Sequence, residues 1–294
     1  MKLGTVRVKG KSEAVIVKGG ELYSISDAAR DLGIKGHIRS VKDVVQLDGR
    51  LREVIIEHSE GFRIDGSPAM QAPVQGPDKV ILAAINYKTH ANEQSFKGME
   101  DPFFFTKFPS CISGPEDPIV IPRSSSMVDY EIELALVIGK RSKYVSEREA
   151  MDSVFGYMVL NDVSFRDYQL GKDLKSPPPL GHNWVMGKAM DMAAPTGPVL
   201  VTSDEIGDPY SLQMELRVNG KTRQKASTGE MVFKIDRMVS YLSQGITLLP
   251  GDIISTGTPA GVAAFTDRNF LRAGDVVEAE ISKIGRLRNP VRNE

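Results

Sequence analysis

Cysteine is nearly absent. The 294 residues contain one, Cys111, so no intramolecular disulfide can form, and its neighbours Pro109, Ser110, Ile112 and Ser113 offer no partner for a redox or zinc motif. Cys111 reads as a packing residue. An excess of either charge is also missing: 37 Lys and Arg stand against 38 Asp and Glu, which leaves no electrostatic footprint for nucleic acid or an anionic membrane. Apolar runs such as Val80 to Ile85 are far too short to cross a bilayer, and Met1 to Gly10 carries charges throughout with no apolar stretch of a signal peptide. A cytoplasmic protein with neither nucleic-acid nor membrane partners is the expectation. Absent too are a Gly-x-Ser-x-Gly elbow, a phosphate loop, a His-Glu-x-x-His pair and a dinucleotide glycine fingerprint. Serine hydrolases, NTPases, zincins and Rossmann enzymes therefore lack support.

What is present is ordinary globular composition, 41% hydrophobic and 26% charged, enough for a sizeable core. A small N-terminal domain, residues 1–72, and a main domain, residues 73–294, are expected. In the first, short apolar clusters (Val6 and Val8, Ala14 to Val17, Leu22 to Ile25) predict strands. Ser26 and Asp27 open a helix through Leu32, Val41 to Leu51 predicts another, and Val54 to Ile56 returns to strand character. Ser67 to Pro77 reads as a linker, and Val80 to Ile85 as a buried strand. Further on, Ser146 with Glu149 forms a capping box, and Ser164 with Asp167 a weaker one. Ile235, Met238, Val239 and Leu242 share one helical face, with Gly245 as the stop. Ile253 to Thr256 and Val276 to Ile281 predict strands. Strands outnumber helices without regular alternation, so the expected class is β-rich α+β.

Chemistry concentrates in Asp129 to Lys140. Glu131 and Glu133 are two apart and share one strand face. An isolated pair of this kind is usually a solvated face, but here that face continues into Ala135 and Val137 while Ile132, Leu134, Leu136 and Ile138 occupy the other. The strand therefore enters a core covered on both sides. Two carboxylates at a core edge repel unless a positive charge lies between them, and all-oxygen ligation suits Mg2+, Mn2+ or Ca2+ better than zinc. Asp162, after the apolar run Tyr157 to Leu160 and Asn161, offers a third carboxylate; alone it would read as a turn residue. His90 and Glu93 stand three apart, close enough on one helical turn for the acid to orient the imidazole, although H-x-x-E arises easily by chance. His37, His58 and His182 have no such neighbour in the sequence.

Read in order, these segments resemble the fumarylacetoacetate hydrolase family, whose pattern runs N-Y-x-x-H-x-x-E, F-x-K, E-x-E-L-A-x-V-I-G and N-D-V-S-x-R-D. The chain supplies Asn86, Tyr87, His90 and Glu93; Phe105 and Lys107; EIELALVIG from Glu131 to Gly139; and NDVSFRD from Asn161 to Asp167. NWVMGK around Trp184, Gly187 and Lys188, then Gly197 and Pro198, and GDIISTGTPAGV from Gly251 to Val262 complete the series. The resemblance spans roughly Val80 to Pro290 and implies a mixed β-sandwich/β-roll main domain preceded by a small α+β domain.

By the same resemblance, Glu131, Glu133 and Asp162 are the expected metal ligands, for Mg2+ with Mn2+ and Ca2+ as alternatives. His90 with Glu93 is the expected water-activating dyad on a lid, and Lys188 the group that stabilises developing negative charge. Lys107, Arg166, Gln169 and Thr258 are expected to hold the carboxylate and oxygens of a small 2-oxo acid. Larger family members carry a further metal aspartate before the lid histidine; Ala83, Ala84, Ile85 and Asn86 stand there, so three ligands are expected. Gly171 to Asn183, with Pro177 to Pro179 in a row, follows no family motif. The implied reaction is hydrolysis of a carbon–carbon bond in a 2,4-dioxo acid. Oxaloacetate decarboxylation or keto–enol tautomerisation, hydroxy-dienoate isomerisation, sugar-acid dehydration and an inactive metal-binding protein are the alternatives. A homodimer is also implied.

Overall fold

A strand fully buried along its length organises the molecule. In the computed structural model, which describes residues 1–34, 36, 38–93, 100–171, 174 and 183–294, every residue of the strand Ile132–Ile138 is buried. Side chains alternate across a pleat, and the two faces enter different cores. Ile132, Leu134, Leu136 and Ile138 pack with Met238 and Val239 of the helix Ile235–Gly245. Ala135 and Val137 pack on the opposite side with Leu3, Ile25 and Val44 from the N-terminal segment. The continuous apolar run reflects this double coverage.

Around that strand runs a 12-stranded sheet. Val154–Asn161 pairs antiparallel on one flank, with Ile132 opposite Asn161, and Ile253–Ser255 pairs antiparallel on the other. Val80–Ala84 follows in parallel register, then Phe103–Lys107. In the other direction Ala194–Thr202 joins Val154–Asn161 and receives the N-terminal strand Lys2–Val8, with Lys2 opposite Val201. The N-terminal segment thus continues the main sheet. A second, five-stranded sheet contains Lys221–Ser227, Gln213–Val218, Val276–Ile281, Gly285–Asn293 and Ile119–Ile121. Its Leu216, Ala279 and Leu287 complete the core above Leu134 and Leu136. Sheets with a few covering helices make a β-rich α+β protein, as expected.

Local chemistry accounts for several boundaries. The expected helix after Ile25 runs Ile25–Asp31, capped by Ser24, whose hydroxyl accepts from the Asp27 amide at 3.0 Å. Val41 to Leu51 divides into Val41–Gln46 and Gly49–His58, because Asp48 caps the second helix by accepting from the amides of Arg50 and Leu51. Val54 to Ile56 is helical rather than strand. Only Ile55 of that trio is buried, and a cap upstream outweighs the β-propensity of three branched residues. Inside the expected linker, Ala69–Gln71 forms a short strand against Lys2–Val8. The Ser146 and Glu149 capping box is present, whereas Asp167 does not pair with Ser164; its carboxylate accepts from Ser125 Oγ and the Ser126 amide. No described helix is long and apolar enough to cross a membrane.

Because Leu136 is 0% exposed and central to the upper core, Leu136→Ala is expected to lower stability by about 2–5 kcal/mol, measured as a shift in the urea midpoint at unchanged slope.

Candidate active site

The register of two strands assembles the acids. Glu131 and Glu133 stand at the start of Ile132–Ile138, and Asp162 follows Val154–Asn161 directly. Antiparallel pairing of Ile132 with Asn161 brings these ends together, and the Asp162 amide closes onto the Glu131 carbonyl at 2.8 Å. One oxygen from each of Glu131, Glu133 and Asp162 lies within 4.8 Å of the others, and all three residues are buried.

Cations converge from a second direction. Lys188, ending the short helix Trp184–Lys188, places Nζ 2.7 Å from Glu131 Oε2, 2.6 Å from Asp162 Oδ2 and 2.6 Å from Ser164 Oγ. Close packing makes this reach available: a Cβ on Gly187 would sit 2.8 Å from the Cβ of Gln169. Arg166 donates through Nε to Asp129 Oδ2 at 2.9 Å, through Nη1 to Gln169 Oε1 at 2.7 Å, and through Nη2 to Glu131. Lys107 is placed behind Asp162 rather than in the cleft. Its ammonium is 2.8 Å from Asp162 Oδ1 and donates to the carbonyls of Val163, Lys188 and Ala193, with no side-chain exposure.

The loop after Ile253–Ser255 serves the acids with backbone amides. Gly257 donates to Glu133 at 3.1 Å, Gly261 to Glu93 at 3.1 Å, and Ala263 and Ala264 to Asp129 at 2.8 and 3.0 Å. Gly261 has φ +109, and a Cβ there would lie 2.1 Å from the Arg223 carbonyl oxygen, so only glycine lets the loop approach. Above it, the helix Lys88–Glu93 carries His90, whose Nδ1 is 3.0 Å from Glu93 Oε2 and whose ring meets Phe265 edge-on.

A cleft of about 360 Å³ joins these parts. His90, Glu131, Glu133, Arg166, Lys188 and Thr258 are among its polar walls, with Phe105, Trp184 and Phe265 among the apolar ones. Gln169 also lines it. Burial drives the Glu131 carboxyl upward, but Lys188 and Arg166 outweigh burial and hold it at about 2. Glu133 is raised well above the carboxylate range by burial and by the negative charge of Asp162 and Glu131. Burial also raises Asp162, against the pull of Lys107 and Lys188. Four buried carboxylates, Asp129, Glu131, Glu133 and Asp162, thus face three buried cations, Lys107, Arg166 and Lys188. An all-oxygen donor set of three converging buried carboxylates, two of them disfavoured as anions by burial, fits a hard divalent cation.

Of the residues expected from the sequence, nine meet at or directly behind this cleft, and Lys107 lies deeper. Asp129 was not among them, although its place two residues before Glu131 extends the same alternating face and is a readable signal. Ser164, Ser255 and Gln224 also contact the cluster or its support, and carry no such signal. His58 has a partner after all, Asp31 at 2.8 Å, in an exposed pair 27 residues apart. His37 and His182 lie outside the described residues, as does most of Gly171 to Asn183.

Fold and cleft together define a β-rich α+β protein with a buried three-carboxylate site at the wall of a small cleft. Residues 79–292 match the model of the fumarylacetoacetate hydrolase C-terminal family, and this chain belongs to that family. It is 45% identical over 221 residues to mitochondrial oxaloacetate tautomerase FAHD2A of Bos taurus, covering 75% of this chain and 68% of the relative. Among solved structures it resembles maleylpyruvate hydrolase from Sphingobium sp. SYK-6 in complex with manganese(II) and pyruvate, at 31% identity and a TM-score of 0.79 over 100% of this chain and 99% of the other. It also resembles a probable 2-hydroxyhepta-2,4-diene-1,7-dioate isomerase from Mycobacterium abscessus, at 32% identity and a TM-score of 0.80, again over 100% and 99%.

Asp129 is wholly buried between Arg166 and two loop amides. Asp129→Ala, which leaves a buried guanidinium short of its partner, is expected to cost about 3–5 kcal/mol, measured by urea unfolding.

Proposed function

We propose that this protein is a divalent-metal-dependent keto–enol tautomerase of a small 2-oxo dicarboxylic acid of the oxaloacetate type. The observation that carries the reading is the placement of His90, its ring held through Nδ1 by Glu93, on the same small cleft as Glu131, Glu133 and Lys188. The name borne by the Bos taurus relative supports the same substrate. Enolisation needs a base at carbon and a positive environment at oxygen, and both are available within that cleft.

Glu131, Glu133 and Asp162 would hold the cation; when bound, it supplies Lewis-acid polarisation of the 2-oxo group. His90 takes the C3 proton through Nε2, the ring nitrogen that does not face Glu93, while Glu93 fixes the ring through Nδ1. The C–H electron pair becomes the C2=C3 bond, the carbonyl π pair moves to the 2-oxygen, and a proton taken up there from solvent completes the enol. Lys188 stands beside Glu131 and Asp162 with its proton held by them: burial disfavours the ammonium, but the two carboxylates raise its pKa. It is therefore placed to offset charge developing on the enolate. Arg166, oriented by Asp129 and Gln169, offers a fixed cationic wall for the substrate carboxylate.

A second reading, hydrolysis of an acylpyruvate carbon–carbon bond, is favoured by the same dyad acting on water and by the likeness to a maleylpyruvate hydrolase. Both would draw on a cation held by Glu131, Glu133 and Asp162 to polarise a 2-oxo group, and product analysis separates them.

In a test of the first reading, the protein with Mg2+ or Mn2+ is expected to accelerate the loss of enol absorbance from oxaloacetate, with EDTA abolishing the acceleration and added Mn2+ restoring it. No acceleration with either metal, together with release of pyruvate from acetopyruvate, would replace it with the second. His90→Ala is expected to reduce the rate by about 10²–10⁴-fold without changing Mn2+ affinity. Glu133→Gln is expected to weaken Mn2+ binding in calorimetry by more than about 100-fold, beyond the range for residues that merely support ligands.

A further inference from the structure

Gln224 belongs to the strand Lys221–Ser227 of the second sheet, is 1% exposed, and reaches the back of the cleft. Its partners fix which way its amide points. The Ile132 N–H, a donor only, lies 3.0 Å from Oε1, and the Pro259 carbonyl, an acceptor only, lies 2.8 Å from Nε2. The remaining Nε2 proton goes to Thr258 Oγ1 at 2.8 Å. Thr258 Oγ1 is also 2.9 Å from the Ile132 carbonyl, again an acceptor only, so the hydroxyl proton is directed there. A hydroxyl has one proton and two lone pairs. The proton and one lone pair are committed within the protein, and a lone pair is all that Thr258 can present to the cleft it lines.

We infer that Gln224 is a positioning residue that makes Thr258 an obligate hydrogen-bond acceptor, so that the cleft selects the enol form of its 2-oxo acid over the keto form. An enol carries an O–H donor; a keto or carboxylate oxygen set against Thr258 Oγ1 opposes lone pair to lone pair, and a desolvated pair of acceptors without a proton is costly. Thr258 therefore meets the ligand in a different sense from the carboxylate contact expected of it. The selection is also mechanically tied to the acids, because both Gln224 and Thr258 grip the backbone of Ile132, the residue between Glu131 and Glu133. The inference rests on the substrate reading above and adds which tautomer the protein prefers.

The experiment uses 13C-labelled oxaloacetate with the protein in excess and Mg2+ present, and reads the enol-to-keto ratio of bound ligand by NMR. In the wild type that ratio is expected to exceed the value in buffer. Thr258→Val, isosteric but lacking the acceptor, is expected to lower it about tenfold, the worth of one hydrogen bond to an otherwise unpaired group, and Thr258→Ser is expected to restore it. Gln224→Met, which frees the Thr258 hydroxyl to turn, is expected to lower it by about threefold; should that variant unfold, the two Thr258 variants decide alone. A bound ratio no higher than in buffer, or one unchanged in Thr258→Val, overturns the inference while leaving the substrate reading standing. A wild type that binds no oxaloacetate with Mg2+ overturns both.

Discussion

The pairing of Ile132 with Asn161 is the constraint from which the site follows. Side chains alternate along both strands, so a slip of one residue would turn Glu133, and Glu131 just before the strand, to the opposite face. Two cores prevent that slip. Leu134 and Leu136 fit only the upper core, and Ala135 and Val137 only the lower one; exchanging them would force large side chains into the space of small ones. Stability in the middle of the strand thereby holds chemistry at its end, and the same register carries Asp162 to Glu131.

Electrostatics at that end run against stability. Four carboxylates and three cations are removed from water, and their mutual attraction seldom repays such desolvation in full. Glu133 shows the imbalance most clearly: it has hydroxyl and amide donors from Ser255 and Gly257, yet burial and two neighbouring acids raise its pKa. Perturbed groups gathered in a cleft are a functional signature, and here they mark a place that favours added positive charge. Asp129 works in the opposite sense: held by Arg166 and two amides, it anchors the guanidinium and the loop in one contact.

That loop is the second organising element. Between Gly257 and Ala264 its amides serve three acids, Glu133, Glu93 and Asp129, and so couple the His90-bearing helix to the carboxylate cluster. The close approach depends on Gly261, whose missing side chain leaves room for the Arg223 carbonyl. A motif that reads in sequence as a glycine- and proline-containing turn is, in three dimensions, the part of the site to which the other parts are fastened.

By itself the sequence determined the strand that enters a double-sided core, because two acids on one face followed by the unbroken apolar run Leu134 to Ile138 are a local property of a pleated chain. It also determined the amphipathic helix after Lys234, the His90 and Glu93 spacing on one helical turn, and, through the order of its motifs, the family. Only the tertiary structure decided what depends on contacts between distant segments. Val54 to Ile56 became helix because Asp48 caps from upstream; Lys107 went behind Asp162 to satisfy three carbonyls brought together from separate segments; and Gln224, without any motif of its own, reached the cleft from the second sheet. Local periodicity is written in neighbouring residues, whereas the direction of a hydroxyl proton or the partner of a buried ammonium is settled by atoms far apart in the chain.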